Sequence, residues 1–150
     1  MARSNRQITQ AMVDHLYRLR FFLSSNNLEV GNTAIEYAED SNSGWRRCTV
    51  KLFGEPIFDC TAKAADISSI AFLNGNFFDG KGRPSRTTRE RINGVLAHGG
   101  ELGTIPEGVR CFINKETGQC CVGKGDHCRL LDKDHPAVYI QPNPAELVFL

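Results

Sequence analysis

Apolar residues near the N-terminus recur at steps of three and four positions, which is the spacing of one face of an α-helix. The stripe consists of Ile8, Ala11, Met12, His15, Leu16, Leu19, Phe22 and Leu23. Ser4 or Asn5 is suited to cap the first turn, and the polar run 24–27 ends the pattern. The pattern predicts an amphipathic helix over residues 4–24.

Between residues 28 and 78 the period changes to two, as expected for strands with one buried face. The clearest alternation is Cys48, Val50 and Leu52 against polar neighbours, followed by a turn predicted at residues 54–56. A polar connection is predicted over 39–44. The links are too short for parallel crossovers, so neighbouring strands must pair antiparallel.

A second helix is predicted over residues 85–98. Pro84 precedes it, residues 87–90 fit a capping box, and the pair Gly99-Gly100 supplies a stop signal. Its buried stripe is Thr88, Ile92, Val95 and Leu96.

A cysteine-rich hairpin and tail follow over 109–150. The order of elements predicts a single α+β domain over residues 1–150, with an antiparallel sheet of about five to seven strands. No apolar run is long enough to cross a membrane, and no secretory signal is visible, so we expect an intracellular protein without a membrane partner.

Positive charge is concentrated in one segment of a nearly neutral chain. The chain has 18 Lys and Arg against 17 Asp and Glu, whereas residues 81–100 hold five basic side chains and one acidic one. Guanidinium groups beside free N–H groups at a helix start favour a phosphate or a carboxylate. We predict a partner- or anion-binding face made of Arg83, Arg86, Arg89, Arg91 and Asn93, with Trp45 as an outlying anchor. The competing use of these arginines is pairing with sheet carboxylates such as Asp59 and Asp79.

Six cysteines are enough for three disulfides or for one metal site. The candidate zinc ligands are Cys111, Cys120, Cys121, His127 and Cys128, but no Cys-x-x-Cys knuckle is present. In a chain without an export signal we expect reduced thiols, with Cys48 and Cys60 as small core residues. No cofactor is therefore expected, and zinc or disulfides remain as alternatives.

Motifs that carry chemistry are missing from the sequence. It has no Gly-x-Ser-x-Gly elbow, no Walker loop and no His-Glu-x-x-His pair. We expect a protein that is not an enzyme; a cysteine- or zinc-dependent enzyme is the third-ranked alternative.

Residues 50–96 carry a resemblance. The pattern consists of three segments in order: Leu52-Phe53-Gly54-Glu55-Pro56-Ile57, then Asn74-Gly75-Asn76-Phe77-Phe78, then Thr87-Thr88-Arg89-Glu90-Arg91-Ile92-Asn93. It resembles a loose group of small uncharacterised bacteriophage and plasmid proteins, with Ile92 in place of the usual leucine.

The resemblance implies a mobile-element origin and no known reaction. An accessory protein of that origin is expected to bind and inhibit a host protein or nucleoprotein complex in the bacterial cytoplasm, as anti-CRISPR and other anti-defence proteins do. The alternative is direct nucleic-acid binding through the basic segment 81–91.

Overall fold

A computed structural model describes residues 4–19, 27–63, 66–101, 104–143 and 145–150. Within them lie two helices and nine strands. They are α1 (Asn5–Leu19), β1 (Leu28–Val30), β2 (Thr33–Asp40), β3 (Trp45–Leu52), β4 (Glu55–Lys63), β5 (Asp66–Leu73), α2 (Arg86–Glu101), β6 (Arg110–Ile113), β7 (Cys120–Lys124), β8 (His127–Leu130) and β9 (Ala137–Ile140). The predicted α+β class is confirmed. Neither of these helices is long and apolar enough to cross a membrane.

The strands form two antiparallel sheets. The larger one has the order β1-β2-β3-β4-β5-β9, and the smaller one has the order β6-β7-β8. The chain after β9 turns back along it, with a bridge between Ile140 and Phe149 and a hydrogen bond from Leu150 N to Tyr139 O (3.0 Å). These bonds occupy backbone groups that an edge strand otherwise leaves unpaired.

One face of the larger sheet forms the floor of the core. A cross-strand row runs through Ile35, Val50, Phe58, Phe72 and Val138, and every member is buried. The buried helix residues, among them Met12, Ile92, Val95 and Leu96, belong to the same apolar cluster. Residues of opposite parity, such as those at 45, 47 and 49, therefore lie on the outer face of this sheet.

The start of α1 follows the prediction. Gln7 N–H donates to Ser4 Oγ (3.3 Å), and Ser4 N–H donates to Gln7 Oε1 (2.8 Å), which together make a reciprocal capping box. Ile8 and Met12 are buried as predicted. The predicted end of the helix at residue 24 lies outside the described residues.

The predicted start of α2 is confirmed, whereas the capping box predicted at residues 87–90 and the stop predicted at the glycine pair are wrong. Ser85 is the cap, because Thr88 N–H donates to its Oγ (3.2 Å). The helix continues through the glycine pair to Glu101. A Cβ at Gly99 would lie 2.5 Å from Ile105 Cδ1, so this glycine permits close packing rather than ending the helix.

Two boundaries around β3 also differ from the sequence prediction. Glu39 and Asp40 belong to β2 instead of the predicted polar connection, and β3 begins at Trp45. The turn after β3 consists of Phe53 and Gly54, with φ values of 51° and 80°. Two left-handed residues are what a tight two-residue hairpin turn requires, although asparagine is far more usual than phenylalanine at the first position.

Arg91 joins α2 to the N-terminal part of the fold. The side chain is 0% exposed. Its Nε donates to Thr33 Oγ1 (2.9 Å), Nη2 donates to Asn32 Oδ1 (3.3 Å), and Nη1 donates to Thr9 Oγ1. Burial lowers the pKa of this guanidinium below its ordinary value, against the opposing charge of Glu90. The expectation that Arg91 belongs to a surface binding face is wrong, because it lies between α1, α2 and the β1–β2 turn.

We predict that Arg91→Met lowers the free energy of unfolding by about 3 kcal/mol, since the buried acceptor oxygens lose a charged donor. Urea denaturation measures the change. The matched control is Arg86→Met on the same helix, where the side chain is 88% exposed and a change within about 0.5 kcal/mol is expected. Equal midpoints for the two variants would contradict this role for Arg91.

Candidate interaction surface

The basic segment before α2 is tied to its own loop. Arg83 Nε donates to Asp79 Oδ2 (2.7 Å), and its Nη1 donates to Gly118 O (3.2 Å). Arg89 Nε donates to Pro84 O (3.1 Å). The competing use considered from the sequence, an ion pair with Asp79, therefore holds for Arg83, although Asp79 lies in the loop and not in a strand. Both guanidinium groups are partly buried and hold the loop that leads into the helix.

Asn93 has a structural position. Its Nδ2 donates to Cys111 O (2.9 Å), and Cys111 N–H donates to its Oδ1 (2.8 Å). Both ends of the amide thus fasten α2 to β6, as one more backbone pairing would. Asn93 therefore has a structural role, and a binding role for it stays a prediction.

Arg86 is the member of the predicted basic face that extends into solvent. Its nearest acidic group is Glu90 one turn later, at 3.7 Å. A single guanidinium paired along the helix provides far less attraction for a polyanion than the predicted group of four.

The carboxylate of Asp79 organises this segment. It accepts hydrogen bonds from Lys81 N–H (2.8 Å), Arg83 N–H (3.1 Å) and the Arg83 guanidinium. Burial raises the pKa of Asp79, but these hydrogen bonds outweigh burial and lower it below the ordinary value of 3.8.

We predict that Asp79→Asn removes a stabilisation that depends on pH. A depressed carboxyl pKa stabilises the fold above the unfolded value near 4, and that contribution is lost as pH falls through the folded value. Urea midpoints of the two proteins should therefore differ at pH 6 and converge below about pH 3. A difference that stays constant over this range would mean that Asp79 acts through neutral hydrogen bonding alone.

The five candidate zinc ligands are divided between the two faces of β7. Cys120 faces Cys111, whereas Cys121 faces Cys128. His127 lies against the C-terminal segment, with Nε2 2.8 Å from Leu147 O. Within the described residues, no three His, Cys, Asp or Glu side chains lie close enough together to hold one metal ion.

Trp45 lies at the end of the outer sheet face, beside a shallow apolar concavity. Its side chain is 42% exposed, and it is the only tryptophan of the chain. The concavity has a volume of about 370 Å³ and is lined by Ala38, Glu39, Asp40, Trp45, Arg46, Arg47 and Thr61. Strand register explains the grouping, because Arg47 pairs with Ala38 on one side and with Thr61 on the other.

The charged groups nearest to Trp45 have partners within the fold. Arg47 donates from Nε and Nη2 to both carboxylate oxygens of Asp59 (2.7 and 2.5 Å). The pKa of Asp40 is lowered by hydrogen bonds from Ser43 Oγ and from the Asn42 N–H. The surface therefore presents an indole and small apolar groups between ion pairs and hydrogen bonds that are already formed.

Among the side chains that the structure describes, three other exposed aromatic residues were not predicted from the sequence. Phe53 is 61% exposed and packs at 5.2 Å, ring to ring, against Phe77, which is also exposed. Tyr139 on β9 is 50% exposed. The sequence gives no sign of the exposure of Phe53, because its position follows from a left-handed φ in a two-residue turn that only the structure shows.

Comparison with protein-family models, with curated proteins and with solved structures found no match to this chain. The resemblance to bacteriophage and plasmid proteins therefore stays a prediction.

Proposed function

We propose that this chain is a non-enzymatic binding protein that docks a partner protein on the concavity beside Trp45. The observation that carries the proposal is the exposed indole over apolar walls, surrounded by charges with internal partners. Tryptophan is enriched among the residues that contribute most to protein interfaces, because one ring buries a large area at a small entropic cost.

The chemistry of the walls favours an apolar side chain of the partner. Ala38 and the methyl group of Thr61 offer contacts without hydrogen-bonding demands. Arg47 forms a bidentate pair with Asp59, so the positive charge that a new anion would meet at Arg47 is largely compensated. A partner that inserts a leucine, methionine or aromatic side chain beside the indole leaves these bonds intact.

Direct binding of nucleic acid is the weaker candidate. Glu39 and Asp40 offset the charges of Arg46 and Arg47 in the lining of the concavity, so its lining has no net positive charge to attract phosphates. At the other predicted site, Arg91 is buried, and Arg83 and Arg89 donate to groups of their own loop. At that site an anion-binding role would have to rest on Arg86 and Lys81, which are exposed.

The identity of the partner follows from the resemblance alone. On that basis we propose a host protein or nucleoprotein complex in the bacterial cytoplasm, and inhibition of a defence system as the outcome of binding. The proposal involves no cofactor and no catalytic residue.

We predict that Trp45→Ala raises the Kd for the partner about 30-fold or more, equivalent to about 2 kcal/mol, while the melting temperature stays within a few degrees. Pull-down from bacterial lysate identifies the partner, and titration with the purified partner measures the Kd. Because Trp45 is the only tryptophan, its fluorescence should shift to the blue as the partner covers it.

The matched control for Trp45→Ala is Tyr139→Ala. Tyr139 is an exposed aromatic residue of the same sheet, on β9, three strands away from β3. The control should bind like the wild type. Equal losses for both variants, or fluorescence unchanged on saturation with partner, would overturn the placement of the site at Trp45.

Arg86→Glu distinguishes the basic segment from the Trp45 concavity. We predict unchanged partner binding for this variant, and no mobility shift of labelled DNA or RNA by the wild type at about 50 mM salt. A shift that weakens steeply towards about 200 mM salt and disappears in Arg86→Glu would favour the nucleic-acid alternative instead.

A further inference from the structure

Every cysteine of this chain lies beside one other cysteine on a neighbouring strand. Cys48 on β3 is the register partner of Cys60 on β4. On the smaller sheet, the Sγ atoms of Cys111 and Cys120 are 3.5 Å apart. Six cysteines can be connected in fifteen ways by three disulfides, and the fold places the cysteines side by side for one of these connectivities.

The third pair is Cys121 and Cys128. The register of β7 and β8 places Cys128 opposite Gly123, two residues from Cys121 and on the same face. A Cβ at Gly123 would lie 2.4 Å from Cys128 Cβ, so the glycine gives Cys128 the space it occupies. Burial, together with the neighbouring Cys128 thiol, raises the pKa of Cys121 to about 11.

The geometry of β7 keeps the last two pairs separate. Cys120 and Cys121 are consecutive, so their side chains point to opposite faces of the strand. Each face therefore holds two thiols, whereas structural zinc takes four ligands. Two adjacent thiols on paired strands are suited to oxidation to a disulfide, whose S–S bond is about 2.05 Å long.

We propose that the six cysteines are three disulfide-forming couples with the connectivity Cys48–Cys60, Cys111–Cys120 and Cys121–Cys128. The oxidant is a small-molecule disulfide. In each couple one thiolate attacks a sulfur of the oxidant and expels its other half as a thiolate. The second cysteine then loses its proton to solvent and attacks the mixed disulfide, which releases the remaining half as a thiol. Two cysteine thiols lose two electrons and two protons, and one oxidant molecule becomes two thiols.

Burial sets the order in which the couples close. Cys128 is the partly exposed cysteine, and the other five are buried, so Cys121–Cys128 meets the oxidant first. In the second couple Cys111 is 4% exposed and Cys120 is 0% exposed, so this couple meets the oxidant after Cys121–Cys128. Cys48 and Cys60 are both 0% exposed, and burial raises the pKa of Cys48 to about 12, so this couple closes last.

The test is incubation of the full folded chain with oxidised glutathione, followed by alkylation of the remaining thiols at intervals and mass spectrometry. We expect the free thiols to fall from six to four, then to two and then to zero, with an intramolecular loss of about 2 Da at each step. After the first step, Cys121 and Cys128 should be protected from alkylation, because they form the first disulfide. The oxidised chain should melt at a higher temperature than the reduced chain, because each bond restricts the unfolded ensemble.

Serine variants resolve the connectivity, since no ordinary protease separates Cys120 from Cys121. Cys128→Ser should leave Cys121 alone free after full oxidation, and Cys111→Ser should leave Cys120 alone free. Any variant that fails to fold by circular dichroism is replaced by the serine variant of its partner cysteine. Persistent glutathione on Cys128, a crossed pairing, or six free thiols in the folded chain under conditions that oxidise the urea-unfolded chain would each overturn the proposal.

Discussion

The buried guanidinium of Arg91 is the interaction on which the arrangement of the helices depends. It lies at the junction of α1, α2 and the turn between β1 and β2, and it donates to an oxygen acceptor on α1 and to two at that turn. A charge in such a position is stable only when its hydrogen bonds are formed, because desolvation of an unpartnered cation is costly. The observed placement of the N-terminal helix, the first hairpin and α2 supplies these hydrogen bonds.

The burial of Arg91 changes the electrostatic picture of the whole molecule. The segment that contains it is the most positive part of the chain, but much of that charge is used inside the fold. Arg83 and Arg89 hold the loop before α2, and Arg91 holds the helix against its neighbours. Positive charge that stabilises the fold is not available to a polyanion, so the exposed indole of Trp45 becomes the stronger candidate for recognition.

The cysteines illustrate how strand register gives meaning to residues that look scattered along the chain. Cys48 and Cys60 are separated by a hairpin, and Cys111 and Cys120 by another, yet each pair meets across two strands. The consecutive Cys120 and Cys121 belong to different pairs because side chains alternate along β7. Asn93 strengthens this arrangement by binding both backbone groups of Cys111 from α2. The smaller sheet is thereby fixed to the helix that Arg91 orients.

The local patterns of the sequence determined the class of fold, the antiparallel pairing, a cap at Ser4 or Asn5 and the buried stripe of α2, because each depends on residues a few positions apart. Long-range packing decided the rest. The sequence predicts Gly99 as a stop signal, whereas in the structure Ile105 packs against it. The sequence predicts Arg91 as a surface charge, whereas in the structure it donates hydrogen bonds to Thr9 and Thr33. The residue type alone made Trp45 a candidate anchor. The walls of the concavity beside it include residues of β2 and β4, and only the sheet register places those strands next to β3. Helical spacing states which residues share a face, and only the tertiary structure decides whether that face meets water or another element of the fold.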